Sequence, residues 1–311
     1  MTGAPVPPVV VGVDGSPDAL AAARLAAVEA HRRGAPLDVV LAFPWPEDAR
    51  VPAPEGFDGR AALHVMAELV LETAEDELRR QVPGLAVHGR LVVGPAPEVL
   101  LAAAGDAGLL CVGSRSNGAV GDLVLGSTAA AVARRSRCPV LVVPLRTGLA
   151  VRDRAGVVVG VGEESDGVVL DAALRAAAER GSELVAVHTW RHPVPGPLHV
   201  ALDPLIGSET AQRREEDRLA DLLVGATARV PGVPVRQVVE RGRAADVLLA
   251  AALTAELVVV GRHDRPGGVL GALRSTTNAL LHRAGCPVLV VPVGARRTRP
   301  GPREPVSAPA G

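Results

Sequence analysis

Gly113-Ser114-Arg115-Ser116-Asn117-Gly118-Ala119-Val120-Gly121-Asp122-Leu123-Val124-Leu125-Gly126-Ser127-Thr128 lies between a short apolar run, Leu109-Leu110-Cys111-Val112, and an alanine-rich run over residues 129–135. The order reads as a strand, a glycine-rich loop and a helix start. The first turn of a helix leaves its N–H groups without intrahelical partners, so such a loop brings backbone donors toward phosphate oxygens. Gly113, Gly118, Gly121 and Gly126 read as positions of positive φ or close backbone approach. Ser127 and Thr128 place hydroxyls beside the helix start. A phosphate-bearing ligand is the natural occupant. A merely flexible connection is the competing reading, because short glycine motifs recur by chance.

Working outward, the same unit is written twice. Val9-Val10-Val11-Gly12-Val13-Asp14 returns as Val157-Val158-Val159-Gly160-Val161-Gly162, and Cys138-Pro139-Val140-Leu141-Val142-Val143-Pro144 recurs intact from Cys286 to Pro292. The separation is one domain's length at both ends, so this is a tandem duplication rather than a short-period solenoid. Within the first copy the expected strands are 9–13, 37–43, 85–93, 109–112 and 139–143, and the expected helices are 17–33, 60–81, 96–104 and 126–137. Ser16-Pro17 gives the first helix an N-cap and a proline at N1, and Gly34 ends it. Leu63, Met66, Leu69, Val70 and Leu78 are read as the apolar side of the second helix. The second copy repeats the order, with strands near 157–161, 184–189, 235–239, 257–260 and 287–291 and helices near 166–180, 209–229, 244–253 and 275–283. Continuous Val/Leu runs indicate strands buried on both faces of a parallel sheet, and alternating β and α makes each copy a doubly wound α/β unit.

Composition narrows the function. The full chain has 311 residues, enough for about two domains. Its net charge is −1, and two Trp, two Phe and no Tyr leave little for base stacking, which argues against nucleic acid as a partner. All 33 basic residues are Arg, which removes the P-loop lysine and any Schiff-base lysine. Phosphate charge must be met by Arg, backbone amides or a metal. Cys111, Cys138 and Cys286 are too few and too far apart for a zinc site or a disulfide framework and read as buried thiols. Met1 to Pro8 lacks signal-peptide regions, and no apolar run approaches the ~18 residues of a membrane span. The expected location is the cytoplasm, away from membranes.

With Asp14 closing the opening strand, Cys-Pro-Val-Leu-Val-Val-Pro as the final strand, and Gly113, Ser116 and Gly126-Ser127 on the pattern G-x2-G-x9-G-[ST], the chain resembles the universal stress protein family in its tandem-domain form. Ser116 stands where that pattern has glycine. The resemblance implies two five-stranded parallel-sheet domains of strand order 3-2-1-4-5, adenine nucleotide alpha hydrolase-like, over residues 7–146 and 155–293; the tail 294–311, rich in Pro, Arg and Gly, reads as disordered. It also implies ATP at the carboxyl ends of the strands, with Mg²⁺ carried on the phosphates. In such a sheet the crevice where strand order reverses, between the first and fourth strands, is independently the usual ligand site. By the resemblance Asp14 holds the adenosine end and backbone near Ala42 touches adenine. Gly113, Ser114, Arg115 and Ser116 run along ribose and phosphates, and Gly126, Ser127 and Thr128 meet the terminal phosphates. Asp14 as a plain turn residue is the alternative. The second copy has Gly162 at the aspartate position, Asp264 and Arg274 at motif glycines, and retains Gly261, Ser275 and Thr276. It is expected to bind weakly or not at all.

Enzymatic equipment is sparse. His31, His64 and His88 fall on elements away from the loop, His263 lies in the altered copy, and Ser127 has no partner base. No catalytic residue and no protein metal site is assigned. The leading expectation is an ATP-binding stress or regulatory protein acting on an unidentified protein partner. A slow ATPase or adenylyl-transfer enzyme, or a non-binding scaffold, are the alternatives. The two final strands are expected to pair within the chain, and a further homodimer is compatible with that arrangement.

Overall fold

A computed structural model describes residues 5–43, 59–115, 125–144, 156–162, 167–190, 208–263 and 275–294. The first half runs β1 (Val9–Val13), α1 (Pro17–Arg32), β2 (Leu37–Phe43), α2 (Gly59–Gln81), β3 (Val87–Val93), α3 (Ala96–Ala103), β4 (Leu109–Gly113), α4 (Ser127–Arg135) and β5 (Val140–Val143). The second runs β6 (Val157–Val161), α5 (Gly167–Arg180), β7 (Leu184–Trp190), α6 (Ser208–Arg229), β8 (Val235–Arg241), α7 (Ala244–Ala251), β9 (Leu257–His263), α8 (Ser275–Arg283) and β10 (Val288–Val293). The strands form one ten-stranded sheet in the order β3-β2-β1-β4-β5-β10-β9-β6-β7-β8. Neighbours are parallel within each half, and the halves join where β5 and β10 pair antiparallel, Leu141 opposite Leu289.

Strand residues alternate between two apolar layers. Val9, Val11, Leu37, Val39, Leu109, Cys111 and Leu141 face the layer that includes the buried alanines of α1, while Val10, Val40, Leu110, Val112 and Val140 face the layer with Leu100, Ala129 and Val132. Both faces being covered explains why these strands read as continuous Val/Leu runs. α1 begins at Ser16, whose Oγ accepts the Ala19 N–H at 3.2 Å. It presents Ala22, Ala23, Ala26, Ala27 and Ala30 to the sheet. It ends in a Schellman turn: Gly34 has φ +60°, its N–H donates to His31 O, and the Ala35 N–H donates to Ala30 O at 2.9 Å.

The reading of α2 needs correction. Leu78 is buried as expected, but Leu63, Met66, Leu69 and Val70 are exposed, and Ala67, Leu71 and Ala74 are buried in their place. The inward stripe is Ala67, Leu71, Ala74 and Leu78, spaced by four, three and four residues and rotated about a quarter-turn from the bulkier one. Small side chains let the helix lie close to the sheet. Leu69 and Val70 instead wall a groove between α1 and α2, with Val13, Leu20 and Thr73. The proline-rich stretch 44–58 and the tail 295–311 lie outside the described residues.

Candidate functional site

At the carboxyl ends of β1 and β4, where the chain crosses to opposite sides of the sheet, there is a cleft of about 500 Å³ including its open mouth. It is lined by Gly12, Val13, Asp14, Ala19, Val40, Ala42, Ala96, Leu100, Val112, Gly113, Arg115, Gly126, Thr128 and Ala129. The structure therefore brings together Asp14, Ala42, Gly113, Arg115, Gly126 and Thr128 from the expected set. Ser114 is buried and is not in the lining, Ser127 is exposed and is not in it either, and Ser116 lies outside the described residues.

Val40, Ala42, Leu100 and Val112 make an apolar floor. The glycine loop gives little sign of Val40, Ala96, Leu100 or Val112. Period-two parity gives some: Val40 lies on the same sheet face as Ala42, and Val112 shares a core layer with Val10. Gly12 lets α3 reach this floor, since a Cβ there would stand 2.7 Å from Leu100 Cδ1. Asp14 does two things at once. Its Oδ1 accepts the Ser16 N–H at 2.9 Å, holding the turn into α1, while the residue borders the cleft. Gly15, at φ +79°, completes that turn.

Gly113 acts by close approach and not by positive φ. A Cβ there would lie 2.8 Å from the Asp18 carbonyl carbon, so the start of α1 is pressed against the end of β4. Just beyond, Ser114 Oγ donates to the buried Asp18 Oδ2 at 3.3 Å, and the Ser114 N–H donates to Val143 O at 2.9 Å. The Gly126 N–H donates to Ser114 O at 2.8 Å, which closes the loop onto its own beginning. Gly126 is the N-cap of α4, at φ −62° and ψ 148°, and no side chain caps the helix there. The N–H groups of the first turn of α4 thus open beside Thr128 and Ala129 in the cleft wall, at the positive end of the helix dipole. Gly118 and Gly121 lie outside the described residues.

The corresponding place in the second half is built differently. β4 ends at Gly113, with one further bond from the Ser114 N–H to Val143 O, but β9 continues through Arg262 and His263, paired with Pro292 and Val293 of β10. The chain runs straight on at the point where the first half turns into its loop. Opposite Val161, where the first half has Leu41 opposite Val13, stands His188. It is buried, with Nδ1 2.9 Å from Val161 O and Nε2 2.8 Å from Glu215 Oε2. Thr277 is buried, its Oγ1 donating to Gly261 O at 3.5 Å. Asp264 and Arg274 lie outside the described residues.

The sequence profile of the Universal stress protein family matches residues 6–144 and again 154–292. A universal stress protein of Mycobacterium tuberculosis H37Rv is 33% identical over 296 residues, covering 91% of this chain and 96% of its own. Another, from Mycolicibacterium smegmatis, is 32% identical over 294 residues, covering 91% and 96%. The crystal structure of a universal stress protein from Archaeoglobus fulgidus superposes with a TM-score of 0.67, covering 92% of this chain and 98% of that one, at 19% identity, a likeness of fold. Among the described residues no helix is long and apolar enough to cross a membrane. With both halves matched by one profile and full-length relatives at this identity, the chain belongs to the universal stress protein family.

Proposed function

We propose that the first-half cleft binds an adenine nucleotide, ATP above all, and that the chain is a cytoplasmic regulatory protein whose occupancy alters what it contacts. The observation that carries this reading is the convergence, in the lining of one cleft, of an apolar floor, Asp14, Arg115 and an uncapped helix N-terminus. The floor of Val40, Ala42, Leu100 and Val112 suits a flat purine. Asp14, an acceptor when ionised, suits ribose hydroxyls. Arg115, the Thr128 hydroxyl and the first amides of α4 suit phosphates, with no lysine needed. Mg²⁺ would arrive bound to the phosphate oxygens.

The second half lacks the carboxylate, having Gly162, and its fourth strand runs on where the loop should begin. Binding there is correspondingly weak or absent. Native mass spectrometry and calorimetry of the full chain test both statements. The expected result is one ATP per chain, lost on Gly126→Arg, which gives the first half the residue that the second has at Arg274. No heat with any purine triphosphate would overturn the nucleotide reading. Two sites of equal affinity would overturn the asymmetry.

A further inference from the structure

Three hydrogen bonds join the second half to opposite ends of α4. Arg262 stands at the position of Ser114 in the repeat and is only 4% exposed. Its Nη1 donates to Ala133 O at 3.0 Å and its Nη2 to Ser136 O at 2.8 Å. Ala133 lies in the last turn of α4 and Ser136 is its C-cap. Carbonyls at a helix end lack intrahelical donors, and a guanidinium both satisfies them and faces the negative end of the dipole. At the other end, the Leu125 N–H donates to Nδ1 of His282 on α8 at 3.4 Å, one residue ahead of the N-cap Gly126.

We propose that Arg262 is a positioning residue for the first-half cleft: the second half orients α4 and thereby sets the affinity of that cleft for phosphate. The inference rests on the nucleotide reading above. It gives the second half a task that survives the loss of its own motif. α4 is nine residues long, so a tilt imposed at its C-terminal end is carried to the amides at Gly126–Ala129.

The test uses the full-length chain with ATP and adenosine as calorimetric probes. Arg262→Gln, which keeps a donor but loses the charge and the fork, is expected to weaken ATP about tenfold, the scale of a helix-terminus contact with an anion. Adenosine affinity should hold, because adenosine does not reach α4, and Arg262→Lys should recover part of the ATP loss. A role in folding alone would lower both ligands together or neither, and either result overturns the proposal. If wild type binds no ATP, the nucleotide reading fails and this inference with it; if wild type binds and Arg262→Gln is unchanged, only the positioning fails. Should Arg262→Gln not fold, amide exchange of wild type decides, since coupling is reciprocal. ATP is then expected to slow exchange in the last turn of α4 and at residues 261–263, and protection confined to the ends of β1 and β4 rejects the coupling.

Discussion

Cys111 shows how far one buried atom can govern bulk behaviour in this chain. All three cysteines are free and buried. Burial, reinforced by the negative charge of Glu29, pushes the Cys111 thiol well above its ordinary value, and burial likewise raises Cys138. With no Lys and no Tyr in the sequence, cysteines are the only side chains that titrate between about pH 8 and 11. A raised folded-state value means that the unfolded chain ionises first as pH rises. Stability is therefore complete below about pH 8.5 and declines above it, by about 1.4 kcal/mol per pH unit for each such thiol. Urea midpoints are expected to agree at about pH 7 and pH 8 and to drop by about pH 10, with Cys111→Ala flattening the decline. An unchanged midpoint in the alkaline range contradicts this account. Asp14 illustrates a different point: turn residue and ligand residue were alternatives in the sequence, and the structure shows its carboxylate holding the turn through the Ser16 N–H in a residue that also borders the cleft.

Between elements, two glycines separate rigid contact from yielding contact. A methyl group on Gly113 would meet the Asp18 carbonyl carbon at 2.8 Å and oxygen at 2.9 Å, which are backbone atoms at the start of α1. A methyl on Gly12 would meet Leu100 Cδ1 at 2.7 Å, the end of a rotatable side chain. Overpacking typically costs about 1–3 kcal/mol, and backbone cannot step aside as a leucine can. Gly113→Ala is therefore expected to lower unfolding free energy by about 2 kcal/mol and Gly12→Ala by distinctly less. Denaturant titration of the two variants checks the order, and the reverse order contradicts the packing described. The element whose inward face the sequence read least well is α2, although its bounds were expected to within a residue. Its apolar residues outnumber those its packing uses, and helical periodicity cannot distinguish a Leu63–Met66–Val70 face from an Ala67–Leu71–Ala74–Leu78 face when both are apolar.

Across the whole molecule, the seam is held on both faces of the sheet. On the face opposite α4, Glu29 of α1 is 1% exposed and receives Arg180 of α5, with Arg32 at 3.2 Å and Arg33 at 3.5 Å. Arg180 and Arg32 also reach Glu256, at 3.3 and 3.7 Å. Removing one member of a buried ion network leaves the others uncompensated, typically at a cost of about 3–5 kcal/mol. Glu29→Gln is expected to destabilise by about 3 kcal/mol, because α1 and α5, which belong to different halves, lose the carboxylate they share. A variant as stable as wild type by calorimetry refutes a structural role for the network. One sheet, two apolar layers and polar ties on both faces make the duplicated chain a single mechanical unit.

The alternation of β and α, the duplication, the Ser16 cap and Gly34 stop, and six of the fourteen cleft residues were legible in the sequence, because periodicity, capping and repeat order are local properties of the covalent chain. Gly113 and Gly126 lie in the cleft wall, although neither adopts positive φ. The inward face of α2, the run of β9 past the loop position and the partners of Arg262 were settled by tertiary structure alone. Arg262 meets carbonyls 129 and 126 residues away. Which helix end lies within its reach depends on how β5 and β10 pair across the seam, a spatial relation that no local pattern of side chains encodes.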